Sequence, residues 1–316
     1  MSEQMTVISL GVHVLDTLVR PVEAIPEGQG GQIVEEIRMT AAGTAGGTAL
    51  VLAKLGATVR SAGAIGTDAL GDQLLALLGR DGVDTSLLLR RDGVQTSASV
   101  LPIRPDGSRP AFHVIGANAS YGPDDAPWDA IAAATHLHVG GPEFMGGEAA
   151  AKILSFARDH GVTTSLDSLA PGDPGVFQWI SAALPYVDYL LPNDQQALDW
   201  TGTTDLGVAC AALVERGVGC VAATAGADGA LVVTADETIS VPAFAITPVD
   251  TTGCGDAFSA GFLRGRAIGL DLRGAAALGC ATAAQVASGL GSDAGEFDLA
   301  SVQEFAATAP VREKQT

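Results

Sequence analysis

The sequence predicts an α/β fold with a mostly parallel central sheet. Short apolar runs that end at glycine, such as Thr6–Gly11, are typical of buried parallel strands. Strand-like runs at 136–140 and 162–167 flank a helical pattern at 147–160, which indicates strands joined by crossover helices. The chain has 316 residues, of which 47% are hydrophobic and 5% aromatic. We therefore expect residues 1–316 to form a single large domain with a core of small aliphatic side chains.

Three segments in the first part of the chain do not fit the parallel pattern. Segment 12–20 follows the first strand directly, and segment 31–41 comes after a loop rich in proline and glycine. Segment 95–118 contains two strand-like runs around the turn-forming residues 104–109, which predicts a hairpin. We expect these segments to form a small sheet of their own. Its edges would need cover, which predicts a homodimer formed through this sheet.

Further elements follow from periodicity and from glycine stops. Residues 49–56 form an apolar helical pattern that ends at glycine. A strand is also expected at 186–191, and residues 272–288 predict a long alanine-rich helix.

The stretch Asp250–Asp256 carries the most specific chemistry. Gly253 and Gly255 allow backbone conformations in which several N–H groups converge ahead of a helix that should begin near Asp256. Such a site suits a phosphate, because the helix dipole adds to the donors. A carboxylate beside a bound anion is unfavourable unless it takes a proton from an attacking hydroxyl, so the pattern indicates phosphoryl transfer. The alternative is that Asp256 only caps the helix.

Together with the residues that follow, as far as Phe262, this stretch resembles the C-terminal signature of the ribokinase (PfkB) family of carbohydrate and nucleoside kinases. The resemblance implies a ribokinase-like three-layer fold in which the three segments above form a β-sheet lid over the acceptor. It implies that Asp256 is the catalytic base and that the N–H groups of Gly253, Cys254 and Gly255 help to form an anion hole. ATP and Mg²⁺ are implied as cofactors, with a sugar or nucleoside hydroxymethyl group as the acceptor.

The acceptor site implied by the resemblance draws on four positions. Asp16 corresponds to the Asp that binds acceptor hydroxyls in the family, and Asn118 falls where the chain returns to the acceptor pocket. Gly43 and Gly47 belong to the family's N-terminal glycine signature, but Gly47 stands where the family has an Asn. Residues 167–171 lack the Asn and Arg that many fructokinases carry there, which makes an acidic or phosphorylated acceptor less expected.

The nucleotide site is implied by a loop at 224–229 that resembles the family's nucleotide loop, although a tight turn between two strands would explain the same glycines. The family's Glu that helps to hold Mg²⁺ through water is replaced by Gln196, near Asn193. Carbonyl groups near Asp250 and Thr252 are implied to hold a monovalent cation such as K⁺. The implied ATP-binding residues are Asn193, Thr224, Gly226, Asp228, Gly229 and Gly291.

Composition and missing motifs exclude several other classes of protein. The net charge of −19 argues against nucleic-acid binding, because no basic face can displace counterions. No Lys lies in a phosphate-binding Gly-Lys-Ser/Thr context, and no Gly-x-Gly-x-x-Gly follows the first strand. His136 and His138 could share one strand face, but they lack a third metal ligand nearby in sequence.

The four cysteines lack zinc-type spacing, and neither a signal peptide nor a membrane span is recognisable. A soluble cytoplasmic enzyme is therefore expected. The departures at Gly47 and Gln196 leave open a degenerate, non-catalytic sensor of sugars or nucleosides.

Overall fold

The alternating strands and helices fold into three layers around a nine-stranded sheet, which confirms the predicted α/β fold. A computed structural model describes residues 5–105, 108–169 and 174–312. No helix in these three ranges is both long and apolar enough to cross a membrane.

The elements are numbered here in chain order. The strands are β1 Thr6–Gly11, β2 Val14–Arg20, β3 Glu36–Ala42, β4 Thr58–Gly66, β5 Asp84–Arg91, β6 Ala98–Pro102, β7 Phe112–Val114, β8 His136–Gly140, β9 Thr163–Asp167, β10 Tyr189–Leu190, β11 Cys220–Thr224, β12 Ala230–Val233 and β13 Thr238–Val241. The helices are α1 Thr44–Lys54, α2 Ala69–Arg80, α3 Trp128–Ala132, α4 Gly147–Asp159, α5 Pro174–Ile180, α6 Asp194–Thr201, α7 Leu206–Val214, α8 Cys254–Ala267, α9 Leu272–Ala287 and α10 Leu299–Thr308.

The large sheet has the strand order β13-β12-β11-β10-β9-β8-β1-β4-β5, and only the β11–β12 and β12–β13 pairs are antiparallel. Side chains alternate across it. Val7 of β1 packs into the core beneath α1, α8 and α9, whereas Ile8 and Leu10 pack into the core that contains α4. Both faces of the sheet are therefore buried, as expected for parallel strands.

Small residues bring α8 and α9 into close contact. A methyl group on Gly261 would overlap Thr282 Oγ1, and one on Gly279 would lie 2.8 Å from the ring of Phe258. Close approach of two backbones needs glycine. This packing fixes the position of the α8 N-terminus, where the Gly–Asp loop ends.

The smaller sheet has the order β3-β2-β6-β7 and contains strands from all three segments that the sequence set apart. Asp16, Thr40 and Ser99 lie in one cross-strand row and are buried. The opposite face is exposed and apolar, and we call it the outer face. Its large side chains are Ile37, Met39, Val100, Phe112 and Val114.

Several element boundaries differ from the predictions. Strand β3 begins at Glu36 and leaves 31–35 outside it, while the strand expected at 186–191 is reduced to Tyr189–Leu190. A 3₁₀ helix at Ser181–Tyr186 occupies the first of those residues. Helix α8 begins at Cys254, two residues before the predicted start, because Gly253 adopts a left-handed conformation with φ of 76° and ends the loop there.

Candidate active site

Two adjoining cavities open where the carboxyl ends of the central strands meet the smaller sheet. This edge is the usual ligand site of a parallel α/β sheet. The polar cavity is lined by Asp16, Ala42, Gly43, Thr44, Arg109, Asp167, Ser168, Leu169, Leu191, Asn193, Gln196, Thr224, Thr251, Thr252, Gly253, Gly255, Asp256 and Ser292. The apolar cavity is lined by Thr224, Gly226, Ala227, Gly229, Ala243, Phe244, Ile246, Pro248, Thr251, Cys254, Gly255, Phe258, Cys280, Ala283, Ala284, Ala287 and Arg312. Thr224, Thr251 and Gly255 line both and mark the junction between them.

The Gly–Asp loop at this junction is held by the buried carboxylate of Asp250. Its Oδ1 accepts from Thr252 N at 3.0 Å and from Thr252 Oγ1 at 2.8 Å, and its Oδ2 accepts from Gly291 N at 3.0 Å. A side chain on Gly253 would lie 2.5 Å from Ser292 Oγ, so only glycine fits there. The loop therefore delivers the first N–H groups of α8 to the junction of the cavities. Groups at that end of a helix lack partners within the helix.

One of the predicted anion-hole donors already has a partner. Cys254 N donates to Thr251 O at 3.3 Å, a long bond that a bound phosphate oxygen could displace. Gly255, next in the chain, lines both cavities.

Asp256 lies in the first turn of α8 and forms part of the polar cavity wall. Burial raises its pKa from 3.8 to about 7, and the negative charge of Asp16 adds to this, while Arg109 opposes it. Burial likewise raises the pKa of Asp16 to about 6, against a hydrogen bond from Ser99. A carboxyl group with a pKa near neutral pH can take a proton from a hydroxyl and release it again.

The position of Asp256 explains the glycine at 47. Gly47 lies in α1 directly beneath this carboxyl group, and a methyl group on Gly47 would overlap Asp256 Oδ2. The sequence marked Gly47 only as a missing acceptor contact. The structure shows that a side chain at this position would displace Asp256.

Asp167 is a third carboxyl group in the polar cavity, and no motif in the sequence indicates a role for it. It ends β9, is buried, and accepts a long hydrogen bond of 3.4 Å from Ser259 Oγ. Burial raises its pKa well above the usual value, and the charge of Asp256 raises it further. Its place at the carboxyl end of a strand next to the sheet's crevice is a signal that could have identified it.

Arg109 was noted in the sequence only as part of a turn. It follows the β6–β7 turn of the smaller sheet, and its Nη2 lies 3.4 Å from Thr251 O at the cavity junction. Arg109 and Thr251 are 142 positions apart along the chain, so no local pattern could have predicted this contact.

The start of α6 forms another part of the wall. Asn193 caps the helix by accepting from Gln196 N at 2.7 Å, and Gln196 Oε1 accepts from Asn193 N at 2.9 Å. Gln196 Nε2 also donates to Ser168 O at 2.9 Å. Gln196 is therefore a buried structural link between α6 and the end of β9. Pro171, where many fructokinases have Arg, lies outside the described residues.

Two predicted ligand-binding residues have other partners in the structure. Asn118 is buried, and its amide pairs with the backbone of His13 through bonds of 3.2 and 3.1 Å. Gly291 faces Thr40 and Leu18 of the smaller sheet and supports Asp250 through its N–H group. Neither belongs to the described residues that line the two cavities. Both residues therefore support segments next to the cavities rather than lining them.

The loop after β11 borders the apolar cavity through Gly226 and Gly229, which the resemblance implies as ATP-binding residues. Gly229 has φ of 95°, and a side chain there would overlap Val241 O. Asp228, in contrast, is exposed to solvent and is not part of the described cavity wall. Arg312 reaches the cavity from the chain's C-terminal segment, where its N–H donates to Ala243 O at 2.7 Å.

No three His, Cys, Asp or Glu side chains within the described ranges lie close enough together to hold a metal ion. His136 and His138 are buried and both bond to the hydroxyl of Ser165, at 2.8 and 2.9 Å. Asn193 and Gln196, which the resemblance implies hold Mg²⁺ through water, both line the polar cavity and carry side-chain amide oxygens that can accept hydrogen bonds.

The family model and the sequence relatives that this chain resembles indicate the same family of kinases. Residues 7–296 match the family described as pfkB family carbohydrate kinase. A nucleoside kinase from Methanothermobacter thermautotrophicus is 28% identical over 278 residues, which cover 86% of each chain. An ATP-dependent ribose-1-phosphate kinase from Halopiger xanaduensis is 30% identical over 266 residues, covering 81% of this chain and 83% of the relative. The Arabidopsis thaliana ribokinase structure with ribose and ATP has a TM-score of 0.82 at 23% identity, covering 96% of this chain and 99% of that one, which supports the fold.

Proposed function

The chain belongs to the pfkB family and is an ATP-dependent carbohydrate or nucleoside kinase, and we propose that it phosphorylates a hydroxymethyl group of a small sugar or a nucleoside. The observation that carries this proposal is the place of Asp256. Its carboxyl group has a pKa near neutral and lies in the polar cavity, one residue beyond Gly255 at the junction with the apolar cavity. An acceptor in the first cavity and a nucleotide in the second would meet at this residue.

In the proposed reaction, Asp256 takes the proton of the acceptor hydroxyl as its oxygen forms a bond to the γ-phosphorus of ATP. The bond between that phosphorus and the bridging oxygen breaks, and ADP leaves. The N–H groups of Gly253, Cys254 and Gly255 donate to the transferred phosphoryl group. Mg²⁺, held with the phosphates near Asn193 and Gln196, would supply positive charge for them.

Acceptor hydroxyls would bind Asp16 under the smaller sheet, which we propose acts as a lid. The lid comprises segments 12–20, 31–41 and 95–118 of a single kinase domain. Asp16 is buried in its inner face and lines the polar cavity. Gly43 supports the opposite wall, where a side chain would lie 2.6 Å from Val12 O.

The sequence resemblance also supports activation by a monovalent cation near Asp250 and Thr252. The resemblance implies that carbonyl oxygens hold this cation, next to the Asp250 carboxylate that accepts from Thr252 N and Gly291 N. Rates measured in K⁺ and in a large organic cation at equal ionic strength test this. Equal rates would remove the cation from the proposal.

The acceptor can be identified by following ADP release with pentoses, hexoses and nucleosides. Ribose 1-phosphate belongs in the same screen, because a relative acts on it by name. We expect a neutral acceptor to give the highest kcat/KM. If sugars or nucleosides bind but none of them causes ADP to form from ATP, the result would favour the non-catalytic sensor.

A further inference from the structure

The described wall of the apolar cavity offers few side chains that could recognise the edge of a nucleotide base. Its two hydroxyl groups, on Thr224 and Thr251, lie at the junction with the polar cavity, where the phosphates would bind. The thiols of Cys254 and Cys280 are weak hydrogen-bond donors. Among the described residues of this wall, only Arg312 carries a charged side chain. Recognition of the base edge by a side chain therefore falls to Arg312.

Backbone pairing brings Arg312 to the cavity. Its N–H donates to Ala243 O at 2.7 Å, and one residue earlier Val311 pairs with Phe244 in an antiparallel bridge. The ring of Phe244 also packs against Phe305 of α10, with 5.1 Å between the ring centroids. Ala243 and Phe244 both line the apolar cavity. The C-terminal segment is thus held along the cavity wall, and the backbone at residue 312 has a defined place there.

The guanidinium of Arg312 is available to a ligand. The residue is exposed, and within the described ranges its side chain makes no hydrogen bond or ion pair. A guanidinium carries N–H donors in a fixed planar fork and has no acceptor. Guanine presents two adjacent acceptors, O6 and N7, whereas adenine presents N7 beside an amino group that is itself a donor. The fork can therefore make two hydrogen bonds to guanine but only one to the same edge of adenine.

We propose that Arg312 binds the edge of the nucleotide base and enables the enzyme to use GTP as a phosphate donor besides ATP. This inference rests on the proposed function, which places the nucleotide in the apolar cavity. Phe244 and Ile246 can pack against the face of either purine, so the wall itself does not distinguish the two bases. With GTP, the γ-phosphoryl group passes to the acceptor oxygen, the hydroxyl proton passes to Asp256, and GDP leaves.

The test compares Arg312→Met and Arg312→Lys with Arg273→Met. Arg273 is a matched control, because it is also exposed but lies on α9 outside the described cavity wall, where its Nη1 donates to Ser240 O at 3.2 Å. Calorimetry would measure the Kd of MgADP and of MgGDP. In the wild type we expect the two Kd values to agree within about 10-fold, and in Arg312→Met we expect MgGDP to bind about 10-fold more weakly. MgADP should weaken by less than about 3-fold in the same variant, because adenine loses one hydrogen bond at most.

Arg312→Lys keeps the charge but loses the fork, so it should recover only part of the affinity for MgGDP. The ratio of kcat/KM for GTP to that for ATP should fall in parallel with the binding ratio, and Arg273→Met should match the wild type. The inference is overturned if Arg312→Met weakens both nucleotides equally, if it weakens neither, or if the wild type binds MgADP but not MgGDP.

Asp256→Asn separates this result from the proposed reaction. Its ratio of Kd values for MgGDP and MgADP should equal that of the wild type, because Asp256 does not line the apolar cavity and calorimetry needs no phosphoryl transfer. Full activity in Asp256→Asn would refute the proposed base whatever the Arg312 variants show. An unchanged binding ratio in Arg312→Met would refute the role of Arg312 and leave the proposed base in place.

Discussion

At the scale of single residues, the site depends on the ionisation of Asp256. A general base must be ionised, so a pKa of about 7 predicts that kcat/KM rises with pH and levels off above neutrality. Asp256→Asn should lower kcat by about 10²–10⁴-fold, the range for loss of a positioned base. Steady-state rates between pH 5 and 9 measure both effects. Full activity in the variant would instead support a simple helix cap.

The raised pKa of Asp256 also makes the free energy of unfolding depend on pH. Its folded-state pKa is raised, so the folded protein holds a proton that the unfolded chain releases above its pKa of 3.8. The resulting stabilisation is complete below about pH 4 and is lost as the pH rises through about 7. At pH 8 we expect Asp256→Asn to unfold with a free energy about 1–2 kcal/mol higher than the wild type. Urea unfolding at pH 8 and pH 4.5 measures this, and the difference should shrink at the lower pH.

Gly47→Ala tests the packing of α1 against the carboxyl group. The added methyl group would overlap Asp256 Oδ2 and lie 2.8 Å from Cγ and 3.1 Å from Cβ, so the carboxyl group must shift. We therefore expect a folded protein with kcat lowered by about 10-fold or more, because the base is displaced. Gly79→Ala is the control, since an added methyl group there meets nothing within 4 Å in α2. Normal activity in Gly47→Ala would show that Asp256 tolerates the shift.

At the scale of an element, Asn193 and Gln196 cap the N-terminus of α6 and are also the residues proposed to lie near Mg²⁺. A neutral Gln196 adds no negative charge to hold Mg²⁺, so Gln196→Glu should lower the Mg²⁺ concentration for half-maximal rate by about 2–5-fold. It would also lose the hydrogen bond from Nε2 to Ser168 O, at a cost of about 1 kcal/mol in the free energy of unfolding. Mg²⁺ titrations at fixed MgATP measure the first effect, with the exposed Gln178→Glu as the control for charge. Superimposable curves would show that residue 196 does not support the metal.

At the scale of the whole molecule, the outer face of the smaller sheet lacks cover. Phe112 is 59% exposed and Val100 is 45% exposed, and the two are paired across neighbouring strands. A contiguous apolar sheet face of this kind marks an interaction surface. We propose that a second copy of the chain covers it, because a two-fold axis would pack this apolar face against the identical face of the partner.

Val100→Asp and Phe112→Asp should convert this dimer to a monomer, since each places a charge in the apolar interface. Light scattering at several protein concentrations measures the mass. Val208→Asp is the control, because Val208 is also exposed, at 58%, but lies on α7. A wild type that is monomeric at every concentration would refute the dimer, although the lid could still cover the acceptor.

The sequence alone determined the features that depend on neighbouring residues. Strand-like runs that alternate with helical patterns predicted the parallel sheet, and the glycines at 253 and 255 predicted a phosphate loop before a helix. These signals are short-range, because strand period, helix stops and loop glycines act within a few residues.

Only the tertiary structure decided which distant groups meet. Gly47 lies beneath Asp256, Arg109 reaches Thr251, and the Asn118 amide is used by His13. Such contacts depend on strand order and on how the layers pack, which local preferences do not encode. A carboxyl pKa near 7 likewise requires the burial and the neighbouring charge that folding creates. The sequence therefore identified Asp256 as the candidate base, but its raised pKa follows only from the tertiary structure.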